Sequence, residues 1–158
     1  MRWPPKLNRP YRPCVGIMML NQDKKIFIAK RIDHPSNAWQ MPQGGILDHE
    51  PPEQAVFREL KEEIGTNNAK ILAVASKEYK YDLPAPLYKK VWDGKYRGQT
   101  QRWFLLSFEG TDEEINIHTA HPEFSEWRWA EASELLKLAV HFKRPVYGQI
   151  LHEFKEYL

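Results

Sequence analysis

Cysteine is nearly missing from this 158-residue chain, where Cys14 stands alone. One thiol cannot close a disulfide framework within the chain, and it cannot build a thiolate metal cluster. No apolar run approaches the roughly 18 residues that a helical membrane span needs. The amino terminus, Met1-Arg2-Trp3-Pro4-Pro5, carries neither a secretory apolar region nor an Arg/Ser-rich transit pattern. Together these absences predict a cytoplasmic protein with no membrane partner. Internal repeats and low-complexity tracts are also lacking, and no shift in composition marks a second domain.

What is present fits one folded domain over residues 1–158. Hydrophobic residues make up 42% and charged residues 28%, which excludes disordered and fibrous classes. A chain of this length buries roughly two-thirds of its unfolded surface. Residues 1–13 hold four of the twelve prolines, and residues 1–10 are read as an irregular arm. The net charge is only +2, but it is unevenly spread. Residues 1–31 carry eight Lys/Arg against Asp23, and residues 77–102 carry seven against three acids. Residues 44–66 hold six acids against two bases, and residues 107–134 hold eight against Arg128. A fold that sets these blocks side by side would grip a phosphorylated ligand through cations and a metal together.

The apolar pattern places the elements. Val15–Leu20 and Ile26–Ala29 flank the turn-like Asn21-Gln22-Asp23-Lys24, which predicts a hairpin. A helix opens near Pro52, stops at Gly65, and carries its apolar stripe on Val56, Phe57, Leu60 and Ile64. Ile71–Ala75, Trp103–Phe108 and Glu126–Trp129 read as strands, Ser133–Leu138 as a short helix, and residues 82–100 as a long loop. The last helix opens at Pro145, with Val146, Tyr147, Ile150, Leu151, Phe154 and Tyr157 along one face.

The helix ending at Gly65 works against its own stability. Spacings of three and four residues stack Glu59 beside Glu62 and Glu63, at a cost of about 0.2–0.5 kcal/mol per like-charged pair. Acids in the last turns also oppose the helix dipole by roughly 0.3–1 kcal/mol each. At 100° per residue, these glutamates lie well away from the apolar stripe. The surrounding pattern is Gly44, then Glu50, then Arg58-Glu59-Leu60, then Glu62-Glu63, then Gly65. At average residue usage a chance match is on the order of 10⁻⁹ per starting position.

Gly44–Thr66 resembles the Nudix box, the signature of hydrolases that cleave a diphosphate linked to another moiety. It departs at Thr66, where an aliphatic residue is usual, and at Asp48-His49, where Pro-Gly is common. Further runs extend the resemblance from Tyr11 almost to the carboxyl terminus. They are Tyr11-Arg12-Pro13, Trp39-Gln40-Met41-Pro42-Gln43-Gly44-Gly45, Tyr81-Asp82-Leu83-Pro84, Gly98-Gln99-Thr100-Gln101-Arg102-Trp103-Phe104, Pro122-Glu123-Phe124, Trp127-Arg128-Trp129 and Phe142-Lys143-Arg144. In these the chain is similar to the bacterial RNA pyrophosphohydrolases and the related dinucleoside polyphosphate hydrolases.

The resemblance implies an α/β/α sandwich with a mixed sheet. It implies a metal-dependent hydrolase, using Mg²⁺ or Mn²⁺, that converts 5′-tri- or diphosphorylated RNA to 5′-monophosphate RNA and so initiates mRNA decay. Dinucleoside polyphosphates, free nucleotides or sugar-nucleotide diphosphates are rival substrates, and a non-catalytic nucleotide-binding module is a rival of another class. By the same resemblance Glu59, Glu62, Glu63 and Glu123 hold the metal, Arg58 orients the glutamates, and Glu50 supports the loop before the helix. Gly44 and Gly45 allow close backbone approach. Glu62, Glu63 and Glu123 stand equal as the catalytic base. Arg12, Arg31 and Tyr81 match contacts to the substrate phosphates, and Val140, Phe142 and Lys143 match a nucleobase pocket. Taken residue by residue, Arg31 reads equally as a surface cation; core packing is the alternative for Phe142 and a loop acid the alternative for Glu123, where the flanking Pro-Glu-Phe favours the ligand reading.

Overall fold

Strand β1, Tyr11–Leu20, is the axis of the sheet. Its residues alternate between two buried faces, so one strand feeds two cores. Asn21 ends it, because its Oδ1 accepts the N–H groups of Asp23 at 2.9 Å and Lys25 at 3.0 Å and closes the turn. The chain returns antiparallel as β2, Ile26–Arg31, with Leu20 opposite Ile26. The computed structural model describes residues 8–33, 38–84 and 91–158, with side chains in the last stretch from Asp93 onward. Of the expected arm, residues 1–7 lie outside the described residues, and residues 8–10 form a turn and bend before β1.

Two short strands follow, β3 (Trp39–Gln40) and β4 (Gln43–Gly45), then helix α1 (Pro52–Ile64). The remaining elements are β5 (Ala69–Val74), β6 (Tyr79–Asp82), β7 (Gly98–Phe108), β8 (Phe124–Ala130), α2 (Ala132–Leu138) and α3 (Arg144–Glu153). The main sheet order is β3-β2-β1-β7-β5, with β4 also on β1, β6 on β7 and β8 on β2. Strands β1 and β7 run parallel from Tyr11 opposite Gly98 to Leu20 opposite Ser107, and the other pairings are antiparallel. The sheet is therefore mixed.

On one face Val15, Ile17, Met19, Phe27, Phe104 and Leu106 pack with Ala55, Val56, Leu60 and Ile64 of α1. On the other, Met18, Leu20, Ile28, Trp103 and Leu105 pack with Leu135 of α2 and Val146, Tyr147 and Ile150 of α3. This is the α/β/α sandwich that the resemblance implied. Helix α1 begins and ends where proline and glycine place it. Gly65 sits at φ 78° and donates its N–H to Lys61 O at 3.2 Å.

Two expectations need correction. Residues 98–100 are not loop, because β7 begins at Gly98 and runs eleven residues. Tyr157 does not line α3, because the helix stops at Glu153 and Tyr157 lies in a following turn, 39% exposed. Residues 85–90 of the expected loop lie outside the described residues.

Candidate active site

Strand β4 lies antiparallel on the amino-terminal half of β1, with Gly45 opposite Cys14 and Gly44 opposite Val15. This pairing brings the glycine loop against α1. A Cβ at Gly44 would overlap the Glu59 carboxyl, and one at Gly45 would overlap the Arg12 guanidinium. A side chain at either position would displace one of these charged groups from its place beside the loop.

Arg58 ties the loop to the helix. Its Nε and Nη2 donate to the two oxygens of Glu50 at 2.7 and 2.9 Å, a bidentate pair. Nη2 also reaches Gly45 O at 2.8 Å, while Nη1 reaches Glu59 at 3.0 Å and Glu62 at 3.2 Å. Its hydrogen bonds to Glu50 push the guanidinium pKa up despite burial, and the same pair holds Glu50 below its ordinary value.

The glutamates divide by burial. Although the helical spacing sets them away from the apolar stripe, Glu59 is 8% exposed and Glu63 only 2%. Strand β1 and the glycine loop cover that side of α1 as well. Glu62 faces solvent against Arg58. Burial raises the Glu63 pKa well above its ordinary value, reinforced by the charges of Glu123 and Glu59 and by a hydrogen bond with Glu123. Burial also raises Glu59, against the pull of Arg58. Glu63 Oε2 is buried with no hydrogen-bond partner. Among the described residues, no three His, Cys, Asp or Glu groups close into a ready-made cage. The donor set nonetheless fits a hard divalent cation: all its groups are carboxylates, mutually repelling, and one buried oxygen lacks a partner.

Beside Glu59 and Glu123 opens a cleft of about 360 Å³. Arg12, Arg31 and Lys143 put cations on its wall, and Tyr81, Phe142 and Val140 line it with apolar surface. Arg31 lies 3.9 Å from Glu123 and pairs with Asp33 at 2.8 Å. The Tyr81 and Phe142 rings meet at 5.5 Å, tilted by 43°. Lys143 Nζ sits 6.0 Å from the Tyr81 ring centroid and donates to Gln40 at 3.0 Å. Burial lowers its pKa to about 7, with Arg31 adding repulsion. The structure thus gathers Arg12, Arg31, Gly44, Gly45, Glu59, Tyr81, Glu123, Val140, Phe142 and Lys143 around one cleft. Glu63 lies behind it and Glu62 points away from it, to Arg58. Of the residues left open between core and cleft, Phe142 is both, since it lines the cleft and packs against the core.

The sequence reading did not assign the cleft-lining Asp33, Gln40, Gln43 and Gln99 to the site. Gln99 and Gln101 carry a readable signal, polar residues two apart leading into the apolar Trp103 on the same strand face. Asp33 gave none.

The class of protein follows from the box held between loop and helix, the sandwich and the cleft. The NUDIX domain family profile matches residues 10–150, and the chain belongs to that family. Nudix hydrolases use divalent metal cations. Among specific relatives, the RNA pyrophosphohydrolase of Rickettsia bellii is 54% identical over 146 residues, covering 92% of this chain and 91% of the relative. The RNA pyrophosphohydrolase of Rickettsia prowazekii is 50% identical over 149 residues, covering 94% and 92%. A solved Caenorhabditis elegans Ap4A hydrolase complex shares the fold at TM-score 0.63 and 18% identity, covering 92% of this chain and 99% of that one.

Proposed function

We propose that this protein hydrolyses the 5′-polyphosphate of RNA, leaving a 5′-monophosphate and releasing pyrophosphate or phosphate. The observation that carries the reading is the continuity of the cleft. Glu59 and Glu123, acidic groups suited to a divalent metal, share its lining with the cations Arg12, Arg31 and Lys143 and with the aromatic rings of Tyr81 and Phe142. Relatives of 50–54% identity bearing the name RNA pyrophosphohydrolase support the RNA end of the substrate.

Glu59, Glu63 and Glu123 would hold the metal, Mg²⁺ or Mn²⁺, since oxygen donors suit both. When bound it supplies charge neutralisation on the anhydride and a more acidic water. Arg12, Arg31 and Lys143 draw the phosphate oxygens into the cleft. Tyr81, Phe142 and Val140 present faces on which a base can stack, the usual means of holding single-stranded RNA. Glu123 lines the cleft and accepts the proton of the attacking water. Glu63 is sealed behind it and Glu62 is engaged by Arg58. Arg58, fixed by Glu50 and Gly45, holds Glu59 in place. An RNA substrate supports a cytoplasmic site of action, and the new 5′-monophosphate ends would initiate mRNA decay.

Product analysis tests this. End-labelled 5′-triphosphorylated RNA, a dinucleoside tetraphosphate and free nucleoside triphosphates are compared with and without Mg²⁺. The expected result is Mg²⁺-dependent 5′-monophosphate RNA formed at the highest kcat/KM. Preference for the dinucleotide would move the assignment to a dinucleoside polyphosphate hydrolase. Intact substrates throughout would leave a nucleotide-binding module.

A further inference from the structure

Behind the cleft lies a chain of buried amides whose direction is fixed by a single group. An indole N–H donates and cannot accept. Trp103 Nε1 donates to Gln101 Oε1 at 2.9 Å, so the other end of the Gln101 amide must be its NH2. That NH2 spends both hydrogens, on Gln43 Oε1 at 3.0 Å and on Gln99 Oε1 at 2.7 Å. With their carbonyls pinned inward, Gln43 and Gln99 have only NH2 groups left. Gln43 gives one hydrogen to the Tyr81 hydroxyl at 3.4 Å, so the hydroxyl must direct its own proton elsewhere. Gln40 is oriented the same way by a different donor, since Lys143 Nζ occupies its Oε1. Gln40, Gln43, Gln99 and Tyr81 all line the cleft, while Gln101 and Trp103 stand behind it. The amide nitrogens of Gln40 and Gln99 remain accessible from the cleft.

We propose that Trp103 and Gln101 are positioning residues that polarise the cleft wall, so that its glutamines present donors alone and favour ligands that only accept, such as a chain of phosphate oxygens. An unpinned glutamine would serve donors and acceptors equally. Fixing three of them removes that ambivalence and disfavours ligands that donate. The burial of the network makes the polarity durable, because turning any one amide would leave its neighbours unsatisfied. This inference rests on the polyphosphate reading of the same cleft.

Gln101→Glu keeps the shape and the Trp103 bond but takes away both donated hydrogens. Gln43 and Gln99 then turn their NH2 groups inward and their carbonyls toward the cleft. Trp103→Phe removes the indole N–H and keeps an aromatic ring against Tyr147, whose centroid lies 5.8 Å away. Inorganic tripolyphosphate is titrated into the full-length protein without metal, following the ¹⁵N side-chain amide signals, and KM and kcat are measured on 5′-triphosphorylated RNA. In the wild type the Gln99 and Gln40 NH2 signals shift on binding. In Gln101→Glu the Kd and KM rise about tenfold or more, and kcat stays within about threefold. Trp103→Phe shows a smaller rise of the same kind. Kd and KM unchanged in both variants overturn the inference, as do parallel losses of kcat and melting temperature with KM constant, which mark mere scaffolding. If the binding effects hold but no polyphosphate is cleaved, the hydrolase reading falls and the polarised wall stands. If RNA is cleaved while both variants behave as wild type, the reverse is true.

Discussion

Glu63 combines nearly complete burial, an oxygen without a partner and two neighbouring carboxylates. A side chain so placed is costly to the fold, and the proposed metal would offset that cost. Glu63→Gln keeps the volume and removes the charge. Turnover of triphosphorylated RNA is expected to fall about 10²–10⁴-fold, the range for loss of an acid–base or charge-stabilising group. Steady-state kinetics in saturating Mg²⁺ check this, and near-full activity would remove Glu63 from the machinery. Lys143 is the cationic counterpart. Burial lowers its pKa to about 7 from 10.5, so the folded state gives up its proton before the unfolded chain does. Below pH 7 the folded protein bears the full cost of a buried ammonium. That cost is relieved as pH rises through 7 toward 10.5, where the unfolded state binds more protons. Lys143→Met has no such relief. Its stability advantage over wild type in urea unfolding is expected to be widest near pH 6 and to narrow by pH 9. A gap that stays constant with pH would show that Lys143 titrates normally.

At the scale of elements, the loop from β4 to α1 carries strain that the box does not require. His49 adopts φ 64° in a turn closed by Glu50 N–H to Leu47 O at 3.0 Å. The left-handed region costs a residue with a Cβ about 1–2 kcal/mol, and glycine's extra freedom when unfolded returns about 0.5–1 kcal/mol of that. His49→Gly is therefore expected to raise stability by roughly 0.5–1 kcal/mol, seen as a higher melting temperature, with Glu50 and Arg58 undisturbed. A lower melting temperature would mean that the imidazole contributes to the turn. Helix α1 was readable to the residue, because a proline start and a glycine stop are local signals. Strand β7 was readable only from Trp103 on. Its first residues, Gly98-Gln99-Thr100-Gln101-Arg102, are polar, and period-two apolar patterning is blind to a strand whose inward side chains are amides. Gln99 and Gln101 stay buried because Gln101 donates to Gln99 on its own strand and to Gln43 across to β4, and a linear sequence does not display that second bond.

Over the whole molecule, the sandwich converts four separated charge blocks into one site. Arg12 and Arg31 come from the basic amino-terminal block and Tyr81 from the second basic block. Glu59 and Glu63 come from the acidic box and Glu123 from the acidic segment 107–134. Opposed charges gathered in one cleft leave repulsion among the carboxylates that the proposed divalent ion would relieve. Adding Mg²⁺ to the chelator-treated protein is expected to raise its melting temperature in a concentration-dependent way, by mass action on the folded state. Chelation is expected to abolish hydrolysis reversibly. Scanning calorimetry across a Mg²⁺ series checks the first, and an unmoved transition would mean that these carboxylates do not meet in a binding site.

The sequence by itself determined the hairpin β1–β2, the limits of α1 and the spacing of the box, because turns, caps and apolar periodicity are written within a few residues. It also supplied the cleft residues Arg12, Arg31, Tyr81, Phe142 and Lys143 as expectations drawn from resemblance. Only the tertiary structure decided that Glu63 lies buried while Glu62 faces solvent. The same holds for Phe142, which both packs and lines the cleft, and for the buried Gln43, Gln99 and Gln101, whose amides bond to one another. Those outcomes depend on which strand lies beside which. Burial, dielectric and hydrogen-bond direction are properties of neighbours in space, and Gln101 and Gln43 become neighbours only when the sheet has formed.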